Sequence, residues 1–421
     1  MTRALRLLCC LALLAGVAWA ATRTLRLSGW SERGFVAAEL EVVDDAEVPG
    51  KVALLLSERA EGEPIRTRRG TGYRAGTWIR CEFPRLEGLT ARLGEQAPAA
   101  DPEPLLVFVK DDPARGAWME TWRDGRRVGA ARSVSTSAPL DQRDPSQAAV
   151  DFAGEAAFAE VDLSGREEPA LAGSQASRYE RPVRGVLYLR GEGDAHEVAP
   201  NDVHQGALGT CYLLATLAAI ARTDPGVLQE RIHDEGDGSY TVTFLGAGLQ
   251  GRDVAVRVSD AVPSAGSGPA FVQYGDTRRA ADGVEEVELW PIVLEKAWAK
   301  LRGGFARAGD DWETIAFAAL SGRTFTHKSP HQLDPAAVLA LLREAEAQGH
   351  PVALCADDLG TYPQLEPLLS RTGVIPYHAY TFAGLEGDRV LLRNPWGHQH
   401  PQPLSADEVV AIFATVTVGG F

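Results

Sequence analysis

The stretch from His204 to Ala221, HQGALGTCYLLATLAAIA, constrains the fold more than any other part of this chain. Its first half is polar and broken by two glycines, and its second half is an apolar run that ends before Asp224. This pattern predicts a tight turn that leads into a buried helix. The helix is expected to begin at Cys211, where the backbone N–H groups of a first turn have no partner within the helix.

A cysteine at this position can be a small packing residue or a reactive thiol. The positive end of a helix favours the thiolate, which is the nucleophilic form. Gly206 and Gly209 allow a tight turn and the close approach of another segment. Gln205 carries a side-chain amide that, together with the backbone N–H of Cys211, could bind a developing oxyanion.

A reactive cysteine needs a base from elsewhere in the chain. Of the nine histidines, His378 stands apart because PYHAYTF is a predicted strand of apolar and aromatic residues. A turn at residues 386–388 pairs this strand with LLRNPWG and brings Asn394 opposite His378. Asn394 could then orient the imidazole, and Trp396 could shield their hydrogen bond from water. Cysteine, histidine and asparagine in this order are typical of the nucleophile, base and orienting residue of cysteine peptidases.

Four segments in the same order resemble the calpain family. QGALGTCYLLATLAAIA resembles its catalytic-cysteine segment Q-G-x-L-G-D-C-W-x-L-A-A, and HAYTFAGLEGDRVLLRNPWG resembles its histidine–asparagine hairpin. Between them, DVAVRVSDAVP resembles a strand that ends in an acidic-Leu-Pro element, and ELWPIVLEKAWAKLRGGF resembles the helix W-x-x-x-L-E-K-A-x-A-K-L-x-G. The resemblance extends from about Val198 to Gly397, roughly half of the chain.

The resemblance implies an α+β, papain-like cysteine protease domain with a helical subdomain and a β-rich subdomain. Cys211 would lie on the first as the nucleophile, and His378 and Asn394 on the second as general acid/base and orienting residue. Gln205 would take the oxyanion-hole position, and Trp396 the shielding position. The implied reaction is hydrolysis of peptide bonds in a protein or peptide substrate through a thioester acyl-enzyme.

Three positions depart from the family pattern, whereas the supporting Gly209 and Trp290 match it. Thr210 stands where the family usually has Asp, Tyr212 where it usually has Trp, and Tyr377 where Gly commonly precedes the histidine. None of these departures removes a catalytic group.

A papain-fold acyl transferase or amidase, and a catalytically inactive calpain-like binding protein, remain the alternative functions.

No metal site is predicted from the sequence. The pair of histidines in His398–Gln399–His400 is too few for a metal site on its own. No EF-hand loop occurs. The calcium sites of a calpain protease core depend on scattered acidic and backbone oxygens, so calcium stays a possible cofactor.

The first twenty residues, MTRALRLLCCLALLAGVAWA, have the basic, apolar and small-x-small order of a secretory signal peptide. Cleavage is expected after Ala20, which predicts a secreted or periplasmic protein without an integral membrane segment. Short β-prone runs between 22 and 110 indicate a small all-β domain, expected to be a sandwich. Residues 111–180 are rich in Ala, Ser, Gly, Pro and charged residues and predict a linker, and 181–421 form the expected protease domain.

Charge and cysteine content limit the classes of function. The net charge of −15 argues against a nucleic-acid partner, since such binding needs a basic face. Signal cleavage would leave three cysteines, Cys81, Cys211 and Cys355, so at least one thiol is unpaired or intermolecular. A Cys81–Cys355 bridge is possible from the sequence, although Cys355 is expected to be a buried strand residue.

Overall fold

The computed structural model describes residues 19–31, 34–45, 48, 50–75, 78–83, 105–112, 116–123, 126–145, 163–172, 175–247, 253–266, 268–322, 325–328, 330–359 and 362–419. The predicted signal peptide lies outside these residues except for Trp19 and Ala20. The chain divides into two compact units, formed mainly by residues 1–155 and 156–421.

The first unit is a closed barrel of eight strands, in which each strand neighbours the next and β8 returns to β1. The strands are β1 (Trp19–Ser31), β2 (Gly34–Asp45), β3 (Lys51–Ala60), β4 (Arg66–Ala75), β5 (Trp78–Phe83), β6 (Leu105–Asp112), β7 (Gly116–Arg123) and β8 (Arg126–Ser133). Burial alternates strictly along β3, as expected for strands with one face in a core. Leu27, Leu40, Leu54, Val107 and Cys81 belong to that core.

The expected sandwich is wrong, because this sheet closes on itself instead of packing against a second sheet. β1 is 13 residues long and pairs with β2 along its length, while Leu27–Ser31 also pair with Gly129–Ser133 of β8. A strand that hydrogen-bonds on both sides leaves no sheet edge there. The barrel continues past residue 110 into the segment predicted as a linker, because β7 and β8 complete it.

The second unit combines helices with small sheets. The α-helices among its described residues are α1 (Cys211–Thr223), α2 (Pro225–Arg231), α3 (Trp290–Leu301), α4 (Glu313–Ser321), α5 (Pro335–Ala347), α6 (Glu366–Thr372) and α7 (Ala406–Ile412). All residues of α1 from Tyr212 to Ala221 are buried, in agreement with the apolar run that predicted this helix. Within the described residues, no helix combines the length and the apolar character that crossing a membrane requires.

Three small sheets flank the helices. They are built from β9 (Arg178–Glu180), β10 (Gly185–Val186), β11 (Ile232–Asp234), β12 (Ser239–Phe244), β13 (Val254–Ser259), β14 (Val262–Ser264), β15 (Thr277–Arg279) and β16 (Glu285–Glu288). β11, β12 and β13 form an antiparallel sheet, β14 pairs with β9, and β16 lies between β10 and β15.

A five-stranded sheet with the order β17-β21-β18-β19-β20 carries the second half of the candidate site. Its strands are β17 (Phe325–Lys328), β18 (Val352–Ala356), β19 (Ala379–Glu386), β20 (Arg389–Arg393) and β21 (Phe413–Gly419). One face of the sheet packs into a core that includes Leu354, Tyr380 and Val416. On β19, Thr381 Oγ1 donates to the carbonyl of Ala215 at 2.7 Å, so this strand also packs against α1.

Candidate active site

Cys211 is the first residue of α1 and is half-buried. The turn before it depends on two glycines. A Cβ at Gly206 would overlap the carbonyl oxygen of Phe271, and a Cβ at Gly209 would lie 2.9 Å from a carboxylate oxygen of Asp310. Both glycines therefore allow a neighbouring segment to approach the backbone of the turn, as expected from the sequence.

The backbone N–H groups of Ala379 and Tyr212 lie near the Cys211 sulfur and lower the pKa of its thiol. Burial raises the pKa of the Cys211 thiol to about 12, the nearby Ala379 N–H opposes this rise, and the carboxylates of Glu313 and Asp310 add to it. The resting thiol is therefore neutral. Because Ala379 follows His378 in the chain, its contact with the sulfur also places the histidine beside the cysteine.

His378 and Asn394 lie at the open end of the hairpin formed by β19 and β20, and both are buried. His378 Nε2–H donates to Asn394 Oδ1 at 3.0 Å. An amide oxygen can only accept, so this bond assigns the proton to Nε2 and leaves Nδ1 as the basic nitrogen. The Trp396 ring lies 5.1 Å from the imidazole, between ring centroids. Burial lowers the pKa of His378, and the bond to Asn394 opposes that effect.

Asn394 is held by the loop that follows β20. Its Nδ2 donates to the carbonyl of Gln399 at 3.3 Å, and its Oδ1 also accepts from the backbone N–H of Trp396 at 3.0 Å. Its own N–H donates to His400 Nδ1 at 3.1 Å. These contacts fix the orientation of the amide, with its oxygen toward His378. His400 is thus a hydrogen-bond acceptor for the asparagine backbone.

Gln205 links the turn before α1 to the loop that carries Trp396. Its backbone N–H donates to the carbonyl of Pro395 at 2.8 Å. Its Nε2 donates to the carbonyl of Leu208 at 2.7 Å, which occupies one of the two amide hydrogens. Its Oε1 has no hydrogen-bond partner within the described part of the chain. Gln205 therefore lies near both halves of the site. Its side-chain amide has a second N–H that does not donate to Leu208.

Two of the three departures from the family pattern have hydrogen-bond partners in the core. Thr210 Oγ1 donates to Glu295 Oε1 at 2.5 Å. The hydroxyl of Tyr212 donates to the carbonyl of Ala308 and accepts from Trp298 Nε1, both at 2.7 Å. The buried Tyr212 hydroxyl thus both donates and accepts a hydrogen bond, at a position where the family usually has tryptophan.

Tyr377, the third departure, has a left-handed backbone with φ of 52°. This conformation is costly for a side chain with a Cβ and explains why glycine suits the position before the histidine. The Tyr377 N–H donates to the carbonyl of Asp357 at 3.0 Å, and its side chain is exposed.

Three carboxylates, those of Asp194, Asp202 and Asp276, converge with oxygens that lie within 4.8 Å of one another. Glu288 lies beside them and accepts the N–H of Asp276 at 3.1 Å. Burial raises the pKa of Asp202 to about 7 and that of Glu288 to about 9, and in Glu288 the carboxylate of Asp202 adds to the effect. Asp202 Oδ1 accepts no hydrogen bond from any described residue. An oxygen-only cluster of this kind fits a hard divalent cation such as calcium.

This acidic cluster was not predicted from the sequence, although two of its carboxylates lie close to the family motifs. Asp202 lies three residues before the segment that contains Cys211, and Glu288 is the first residue of the segment that contains Trp290, so both lie within the range that resembles the calpain family. In the structure the Trp290 indole N–H donates to Asp202 Oδ2 at 2.9 Å.

The three cysteines Cys81, Cys211 and Cys355 are all free thiols.

Comparison with known proteins agrees with the four motifs. The model of the calpain family cysteine proteases matches residues 189–407. Calpain-13 of Rattus norvegicus is 28% identical over 210 residues, which are 47% of this chain and 29% of that protein. Calpain clp-4 of Caenorhabditis elegans is 28% identical over 258 residues, 55% of this chain and 34% of that protein. Calpain-type cysteine protease DEK1 of Zea mays is 30% identical over 216 residues, 48% of this chain and 9% of that protein.

The chain spans about a third or less of the length of these relatives. The matched range holds Cys211, His378 and Asn394 and covers half of the chain, and the protease core of this family is papain-like. The resemblance inferred from the motifs is confirmed, and the chain belongs to the calpain family of cysteine proteases.

Proposed function

We propose that this protein is an exported calpain-like cysteine endopeptidase that hydrolyses peptide bonds through a thioester acyl-enzyme. The observation that carries the proposal is the joint geometry of the histidine and the cysteine. His378 is hydrogen-bonded to Asn394 beside the Trp396 ring, and the strand that follows it packs against the helix that begins at Cys211, through the hydrogen bond from Thr381 to the Ala215 carbonyl.

In the first half-reaction, His378 Nδ1 takes the proton of Cys211 and gives a thiolate–imidazolium pair. Both pKa shifts favour the neutral pair at rest, so charge separation belongs to the step in which the substrate is attacked. The thiolate attacks the peptide carbonyl, and the Gln205 amide with the Cys211 backbone N–H stabilises the oxyanion. The C–N bond then breaks as the imidazolium gives its proton to the leaving amine.

In the second half-reaction, His378 Nδ1 removes a proton from water, and the resulting hydroxide attacks the thioester carbonyl. The C–S bond breaks, the acid product leaves, and Cys211 regains its proton. Asn394 keeps the imidazole in one tautomer throughout, because its oxygen holds the Nε2 proton.

The acidic cluster suits calcium as a structural cation. Asp194, Asp202 and Asp276 would hold it, and the bound ion would neutralise carboxylates that otherwise repel one another. Asp202 lies three residues before Gln205, so the cluster is adjacent in sequence to the predicted oxyanion hole.

Export is proposed from the signal-like order of the first twenty residues. Cleavage after Ala20 would remove only two residues of β1, and the regular pairing of β1 with β2 begins at Ala21. N-terminal sequencing of protein recovered from the medium or periplasm of an expressing host should begin at Ala21. Recovery of the chain from the cytosol with its first residues intact would contradict export.

The test of the activity compares wild type, Cys211→Ala and the matched control Cys81→Ala on denatured casein, with and without calcium. New peptide N-termini are expected with wild type and the control but not with Cys211→Ala. A thiol-directed epoxide should label Cys211.

Other outcomes would support the alternative functions. Labelling of Cys211 with acyl transfer to an added amine, but no chain cleavage, would favour an acyl transferase or amidase. Intact casein and no labelling under all conditions would favour an inactive binding protein.

A further inference from the structure

A second thiol lies close to the candidate nucleophile. Cys355 is on β18, where it is half-buried and directly opposite Ala379 of β19. Directly opposed residues of antiparallel strands point to the same face, with Cβ atoms about 4.5–5.5 Å apart. The Ala379 N–H also lies near the Cys211 sulfur, where it lowers the pKa of the thiol. One residue of β19 therefore contacts Cys211 through its backbone and has Cys355 as its direct neighbour on the sheet.

The Cys355 side chain lies on the face that packs against α1. Its neighbours Leu354 and Ala356 belong to the core on the opposite face, and side chains alternate along a strand. Thr381, two residues after Ala379, donates to the carbonyl of Ala215, one turn after Cys211. β19 and α1 thus run side by side, and Ala379 and Cys355 lie level with the first turn of the helix.

A buried carboxyl group completes this cluster of Cys211, Cys355 and Glu313. On β21, Thr415 is opposite Cys355, and its Oγ1 donates to Glu313 Oε2 at 3.4 Å. Glu313 is fully buried, and its charge acts on both thiols. Burial raises the pKa of Glu313 to about 7, so near neutrality it can accept a proton. Thr415 thus connects this carboxyl group to the strand position opposite Cys355.

We propose that Cys355 is a resolving cysteine, which forms a disulfide with Cys211 after a peroxide has oxidised the nucleophile. The proposal rests on the proposed function in one respect, since it takes Cys211 as the reactive thiol. In the first step the Cys211 thiolate attacks one peroxide oxygen, the O–O bond breaks, and hydroxide leaves; sulfur is oxidised to a sulfenic acid and the peroxide is reduced.

In the second step the Cys355 sulfur attacks the Cys211 sulfur, the S–O bond breaks, and the hydroxyl leaves as water with the proton from Cys355. The disulfide blocks the nucleophile but can be reversed by an added thiol. Without a resolving thiol, further oxidation of Cys211 gives the sulfinic acid, which an ordinary thiol does not reduce. With Cys355 present, oxidation of Cys211 would thus give a reversibly inactivated disulfide form instead of an irreversibly oxidised one.

The experiment treats the full chain with hydrogen peroxide, alkylates the remaining free thiols, and maps peptides by mass spectrometry without reduction. In wild type and in the matched control Cys81→Ser, we expect a Cys211–Cys355 linked peptide that has lost two hydrogen atoms. Added dithiothreitol should restore alkylation of Cys211 in both. In Cys355→Ser, Cys211 should accumulate as sulfinic acid and should not recover.

Cys355→Ala serves as a second variant in case the serine perturbs the sheet, and circular dichroism checks the fold of each. The inference is overturned if no linked peptide forms in wild type, or if Cys211 recovers equally well in the Cys355 variants. The mass readout needs no substrate. A chain that forms the bridge but cleaves no peptide would therefore refute the proposed function alone, whereas a peptidase that forms no bridge would refute this inference alone.

Discussion

Replacing Asn394 by alanine tests how the candidate site holds its base. The variant removes the oxygen that accepts the Nε2 proton of His378 at 3.0 Å and leaves the cysteine and the histidine in place. Asn394 is fully buried, so water does not replace the lost acceptor without rearrangement. The imidazole then gains access to the wrong tautomer, in which Nδ1 carries the proton and cannot accept one from Cys211.

The size of the effect follows from the charge that the histidine carries during the reaction. A hydrogen bond to a charged group contributes about 1.5–3 kcal/mol, which corresponds to a rate factor of about 10- to 150-fold. Since the positive charge is present in the transition state but not in the neutral resting pair, the loss should appear mainly in kcat.

The assay is cleavage of a fluorogenic peptide by wild type, Asn394→Ala, Asn394→Asp and Gln402→Ala, each followed over a pH series. Gln402→Ala removes an exposed amide from the same loop and should leave the rate unchanged. Because His378 must be neutral to take the proton of Cys211, its pKa sets the acidic limb of the profile, and Asn394→Ala should move that limb to lower pH. Asn394→Asp adds a negative charge, which raises the pKa of His378, and should move that limb to higher pH. Unchanged kcat and an unmoved limb in both variants would refute the reasoning.

Three further predictions concern stability. Tyr212→Phe should lower the free energy of unfolding by about 2–4 kcal/mol, because it leaves two buried hydrogen-bonding groups without a partner. Tyr188→Phe removes a buried hydroxyl that has no partner in the described part of the chain, and equal urea midpoints for the two variants would contradict this account. Calcium should raise the Tm more at about pH 8 than at about pH 5, because burial raises the pKa of Asp202 to about 7, so that calcium must displace a proton at pH 5 but meets a charged carboxylate at pH 8. Asp202→Asn should abolish this gain and the exposed Asp388→Asn should keep it, whereas equal gains in both would exclude the cluster as the calcium site. Tyr377→Gly should raise the unfolding free energy by up to about 1 kcal/mol by removing left-handed strain, and a gain of the same size in Tyr377→Ala would contradict that cause.

The barrel shows which part of the fold the sequence could not predict. Alternating apolar residues in β3 indicate a strand with one buried face, and this part of the prediction is local. A sandwich and a barrel share that alternation, and they differ only in which strands meet at the ends. Here the decisive contact joins Leu27 of β1 to Ser133 of β8, across the whole unit. No short pattern in the sequence carries such a pairing.

The candidate site likewise has one part that could be predicted from the sequence and another part that could not. The contact between His378 and Asn394 was predictable because a single hairpin separates them by 16 residues. The acidic cluster was missed because its members come from separate loops, and only the folded chain brings Asp202 to Asp276. The neighbourhood of Cys355 was missed for the same reason, since two strands and a helix must assemble before it lies near Cys211.

Thr210 directly precedes the candidate nucleophile and replaces the aspartate that is usual in the family. This difference changes how the contact between residue 210 and Glu295 depends on pH. Thr210 donates to Glu295 Oε1 at 2.5 Å, and the N–H of Val272 donates to Oε2 at 2.9 Å. A threonine hydroxyl always carries its proton, whereas an aspartate in the same place would share a single proton with Glu295. Burial raises the pKa of Glu295 to about 7, and a neighbouring carboxylate would raise it further, so the pair would lose this proton only at alkaline pH. Threonine therefore keeps the support of Cys211 intact at alkaline pH, where a pair of carboxylates would repel each other.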